Sequence, residues 1–124
     1  MTTAAQVLAI VIAVMLASVW LMESFFYRNR RLYPLFLLEP RDFGAVRLWI
    51  VNLGFYNLTT AVALALGVVL AASGHVPQGE ALVAFTAGQH VFLALVLLAT
   101  ERRLWLNAVL EGLPTAVLLL LVVL

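Results

Sequence analysis

Polar side chains are sparse along this chain, and the long apolar runs between them set its architecture. From Ala4 to Phe26 the sequence is apolar apart from Gln6, Ser18, Glu23 and Ser24. At about 1.5 Å per residue, a helix of that length crosses a hydrocarbon layer of ~30 Å. Comparable runs follow at about 48–72, 80–99 and 105–124. The pattern predicts an all-α fold: four transmembrane helices in a bundle, forming a single integral-membrane domain over 1–124.

The first run reads as a retained helix. A cleaved signal peptide has a basic start and an apolar core of about 7–15 residues. Here the run is longer, and the first arginine, Arg28, lies beyond it.

Three connections separate the spans. The first opens on Arg28-Asn29-Arg30-Arg31 and continues through a segment at about 32–41, too short to span and interrupted by Pro34. It reads as interfacial, with Tyr33 at headgroup level. Glu39-Pro40-Arg41-Asp42 reads as a helix start, with proline in the first turn and Asp42 near the positive end of the helix dipole. The second connection is the turn-rich stretch 73–79, containing Gly74, Pro77 and Gly79. The third is the short charged turn Glu101-Arg102-Arg103.

Composition sharpens this picture. Of 124 residues, 65% are hydrophobic and 10% charged, with a mean hydropathy of +1.12. A soluble domain carries about 25% charged residues, so this chain needs lipid around it. The basic residues are all arginine, and Arg28, Arg30, Arg31, Arg41 and Arg47 share the first connection while Arg102 and Arg103 sit in the third. In a four-span chain those two connections lie on the same side. The positive-inside rule makes that side cytoplasmic and places both termini outside. A net charge of +1 gives no reason to expect a nucleic-acid partner, and the absence of cysteine removes disulfides and thiolate metal sites.

Polar groups within the spans carry the functional expectation, because they are costly there. Glu23, Asn52, Tyr56, Asn57, His90 and Glu111 all fall in the arginine-side half of their spans. Asn52 and Tyr56, spaced i and i+4, share a helix face. Glu23, His90 and Glu111 would be costly against lipid, so they are expected to face the interior and each other. Gly54 and Gly112 allow close helix approach, and Pro114 frees a backbone carbonyl near residue 110. For each residue a plainer role stands beside the sharper one. The asparagines can serve as interhelical glue, and Glu23 can form a surface pair with Arg28. No metal-ligand spacing, nucleotide loop or serine elbow is present, and without lysine there is no Schiff-base chemistry. No metal or cofactor is therefore expected, and no catalytic residue is identified by motif.

Glu23 in Leu-Met-Glu-Ser-Phe-Phe, the segment Asn52-Leu53-Gly54-Phe55-Tyr56-Asn57, and Gly112-Leu113-Pro114 together resemble the DUF1304 family of small four-span bacterial membrane proteins. That family typically reads Asn-Gln-Gly-Leu-Tyr-Asn in the second span, matched here by Asn52, Gly54, Tyr56 and Asn57. The chain departs from the pattern at Leu53, at Glu111 (usually glutamine), and at Met15 and Leu16, where the family tends to carry a Glu-His pair. The resemblance implies the four-span layout and a bacterial plasma membrane. It implies no activity, since the family's function is unknown.

The residues support three functional expectations. One is a buried polar pocket in the cytoplasmic half that binds or transports a small lipophilic or protonatable molecule. The second is an accessory subunit of a larger membrane complex, with the polar residues as glue. The third, by analogy of layout, is an intramembrane acid–base lipid isomerase. Membrane lipid is the expected surrounding partner, and self-association into a homo-oligomer is also expected.

Overall fold

The computed structural model describes residues 1–124 and is all-helical. Four long helices dominate: α1 (Thr3–Phe25), α3 (Phe43–Ala72), α4 (Val76–Thr100) and α5 (Trp105–Val123). A short helix, α2 (Tyr33–Phe36), lies in the connection between α1 and α3. All four long helices are long and apolar enough to cross a membrane. The chain is a multi-pass integral membrane protein.

The helices alternate in direction. Alpha-1 packs on α3, α3 on α4 and α4 on α5, while α5 returns to α1 and closes the bundle. One half is dry. Ala5, Ala9 and Ala13 recur at four-residue spacing on α1 and meet Leu64, Val83, Ala87 and Leu118 from the other three helices. Small residues suit this role, since helices in lipid associate through close packing rather than through exclusion of water. Both chain ends belong to this dry half: Met1, Leu119 and Val122 pack against the same cluster. The connections bearing six of the seven arginines lie at the opposite end, as does Arg47 near the start of α3.

The tightest crossing joins α3 to α4. A Cβ added at Gly79 would stand 2.4 Å from the Gly67 carbonyl oxygen and 2.7 Å from the Ala71 nitrogen, and one at Gly67 would meet Val83 at 2.6 Å. Gly54 and Gly112 are contact points as expected. A Cβ at Gly54 would meet the Ser24 side chain, and one at Gly112 would stand 2.8 Å from Ala94 Cβ.

One boundary differs from the sequence reading. Alpha-4 begins at Val76, so Pro77, Gln78 and Gly79 belong to the helix rather than to the preceding loop. Proline is compatible with a first turn, where its missing N–H would have no intrahelical partner, and Gly79 is drawn in by its contact with Gly67. Alpha-3 starts at Phe43, five residues before the apolar run and directly after Glu39-Pro40-Arg41-Asp42, the helix start read from the sequence. The arginine-side connection is folded back on the bundle. Asn107 at the start of α5 donates from Nδ2 to the Leu35 carbonyl at 2.8 Å, and Leu37 closes α2 in the left-handed region at φ 55°.

Candidate intramembrane polar site

Away from the dry core, the arginine-side half buries polar side chains. Glu23 is 7% exposed, two residues before the end of α1. Its Oε2 accepts a hydrogen bond of 2.7 Å from Asn57 Nδ2 on α3. Beside it, Ser24 donates to the Val51 carbonyl at 3.0 Å, so adjacent residues of α1 grip α3 at two levels. Gly54 makes this possible, because a side chain there would overlap Ser24.

Across the bundle, α4 and α5 contribute a second pair. His90 Nδ1 and Glu111 Oε1 are 2.5 Å apart; the histidine is 2% exposed and the glutamate 26%. His90 Nε2 is buried with no hydrogen-bond partner. Thr115, one turn beyond Glu111, is buried and donates to the Glu111 carbonyl at 2.7 Å, taking up backbone polarity next to Pro114. Both pairs lie in the arginine-side half of the bundle and together make up its interior polar cluster.

Four of the six singled-out residues, Glu23, Asn57, His90 and Glu111, thus pair across helices. Asn52 and Tyr56 do share a face, but that face is the outer one. Asn52 is exposed and its Nδ2 donates to the Leu48 carbonyl of its own helix at 2.7 Å. Tyr56 is 71% exposed. A polar side chain that can satisfy itself one turn back along its own helix has less need of the interior. Arg28 approaches the Tyr27 ring and hydroxyl, so the alternative ion pair with Glu23 is not formed. Ser24, Thr115 and Asn107 were not foreseen, since serine, threonine and asparagine near helix ends are ordinary in any sequence. No three histidine, cysteine, aspartate or glutamate side chains, Glu23 with His90 and Glu111 included, are arranged to hold a metal ion.

Tyr56 belongs instead to a lateral groove of about 400 Å³ between α3 and α4. Its walls include Leu53, Thr59, Thr60, Ala63, Phe85 and Gln89.

No curated protein and no solved structure matches this chain. The family described as protein of unknown function DUF1304 matches residues 10–123, which reach into all four spans, and the chain belongs to that family.

Proposed function

We propose that the interior cluster binds a small lipophilic or protonatable molecule in the cytoplasmic half of the membrane, with the arginine-bearing connections inside the cell and both termini outside. The observation that carries this reading is His90 Nε2, a buried ring nitrogen with no partner. Buried polar atoms are paired in the great majority of cases, and an orphan calls for an occupant.

The chemistry follows from the pair. With the proton on Nδ1 and donated to Glu111, Nε2 presents a lone pair to a donor such as a hydroxyl or an ammonium group. If Nε2 then takes up a proton, the adjacent carboxylate stabilises the imidazolium. Glu111 is the more exposed member and His90 the fully buried one, so the pair is oriented to pass a proton between the edge of the bundle and its interior. Asn57 holds the Glu23 carboxyl group in place as a second polar contact.

Native mass spectrometry of the protein extracted gently from its own membrane tests this reading. A bound small molecule that is retained in the wild-type chain and lost in His90→Leu is the expected result. Stable partner proteins with no small ligand would overturn it and make the cluster interhelical glue in an accessory subunit.

A further inference from the structure

The groove between α3 and α4 is distinct from the interior cluster, for it opens sideways to the lipid. Small-molecule sites are clefts of about 300–1,000 Å³ lined mostly by apolar groups with a few polar ones, and at about 400 Å³ this groove is of that size. Its polar inventory is unusual for a surface facing hydrocarbon. Thr59 and Thr60 both donate to the Tyr56 carbonyl, at 2.8 and 2.9 Å, and Thr86 donates to the Leu82 carbonyl at 2.7 Å. The threonine donors are therefore spent within the helices. Tyr56 and Gln89 differ. Both are exposed, and neither the Tyr56 hydroxyl nor the Gln89 amide has a partner in the chain.

Depth makes this costly. Tyr56 lies roughly 12 Å inside the start of the apolar run at 48, and Gln89 roughly 17 Å from the nearer end of its helix, at about 1.5 Å per residue. Both are within the hydrocarbon layer, where no water satisfies a stranded N–H or O–H. One phenol O–H and two amide N–H groups line the same groove as free donors.

We propose that this groove binds a neutral, carbonyl-bearing lipophile of the quinone type, its ring oxygens accepting from Tyr56 and Gln89 and its tail lying along Leu53 and Ala63. Three features select this class. The Tyr56 hydroxyl and the Gln89 amide nitrogen hold three unpartnered donor hydrogens between them, which a pair of ring carbonyls would accept. No charged side chain lines the groove, so the ligand is neutral. The donors lie more than about 10 Å inside the hydrocarbon layer, whereas a phospholipid carries its ester carbonyls at the headgroup boundary. A second copy of the chain is a poorer match, because the surface is concave and rimmed by outward-standing Tyr56 and Phe85, 71% and 73% exposed.

The test uses the full chain in phosphatidylcholine nanodiscs and a diazirine-bearing benzoquinone, with crosslinks mapped by mass spectrometry. Labelling is expected in the groove segments of α3 and α4, competed by decylubiquinone but not by decylbenzene. The double substitution Tyr56→Phe/Gln89→Leu, at lipid-facing positions that leave folding intact, is expected to reduce labelling at least tenfold. Ala63→Phe, which keeps both donors but fills the groove, is expected to do the same. The proposal is overturned by labelling spread evenly over the four long helices, by equal competition from decylbenzene, or by unchanged labelling in the double variant. Conversion of a dimer to a monomer by the double variant, with labelling unchanged, would make the groove a seam between copies instead.

Discussion

His90 Nδ1 lies 2.5 Å from Glu111 Oε1, joining a ring that is 2% exposed to a carboxylate that is 26% exposed. The two ends of this contact are unequal, and so are the consequences of breaking it. His90→Leu leaves a carboxylate in apolar surroundings without its partner and is expected to cost about 2–3 kcal/mol. Glu111→Gln keeps a hydrogen-bonding group and is expected to cost about 1 kcal/mol, in line with interhelical hydrogen bonds in lipid. His90→Leu combined with Glu111→Leu should recover much of the larger loss. Reversible unfolding in mixed detergent micelles reads all three, and a double variant no better than His90→Leu would contradict the pairing.

The Asn57–Glu23 hydrogen bond makes a parallel prediction on the other side of the bundle. Asn57→Leu strands a carboxylate that is 7% exposed and is expected to destabilise by about 1–3 kcal/mol. Asn57→Asp sets a second carboxylate against Glu23 and should be worse at neutral pH than at pH 4, where protonation relieves the repulsion. Unfolding midpoints at the two pH values check the sign.

Glycine substitutions should rank by what a new Cβ meets. Gly79→Ala runs into backbone atoms of Gly67 and Ala71 at 2.4 and 2.7 Å, which cannot move without shifting a helix, and about 2–3 kcal/mol is expected. Gly54→Ala meets mainly the Ser24 hydroxyl, which can rotate away at the expense of its bond to Val51, so about 1–2 kcal/mol is expected. Gly88→Ala meets only Leu119 Cδ2, at 4.0 Å, and should be neutral or stabilising by up to about 1 kcal/mol through helix propensity. Thermal melting of the three variants tests the order.

The turn between α4 and α5 carries a pH signature. Arg103 grips Glu101 through side-chain and backbone hydrogen bonds and lowers its carboxyl from the usual 4.5 to about 2. A depressed carboxylate contributes stability above its ordinary titration range, and that contribution is lost as pH falls from about 4.5 through 2. Carboxyl-carbon NMR should place the Glu101 midpoint near 2 in the wild-type chain and near 4.5 in Arg103→Gln, with added salt raising the wild-type value.

The four spans were legible in the sequence because a long uncharged run has few alternatives to a membrane helix. Burial costs likewise pointed to Glu23, Asn57, His90 and Glu111, since charge or amide in hydrocarbon demands a partner. What periodicity could not supply was the direction each face takes. In a soluble helix the apolar stripe marks the interior, but here lipid and core are equally apolar, so Asn52 and Tyr56 could be placed together without being placed inward. The α3–α4 crossing was hidden for a related reason. Gly67 is one small residue in an Ala-Val-Leu run, and Gly79 lies in a stretch whose Gly and Pro content resembles a loop. Only the contact between them reveals their shared role.

That crossing has a mechanical consequence. From Gly67 and Gly79 the two helices run on past the groove walls, from Ala63 to Leu53 on one side and from Leu82 to Leu93 on the other. They behave as the arms of a pair of tongs, pivoted where the backbones touch, with a lever of roughly 15 Å between Gly79 and Gln89. A bulkier side chain at the pivot would reset the gap at the jaws, so the width of the groove is governed from a point that nothing inside it touches.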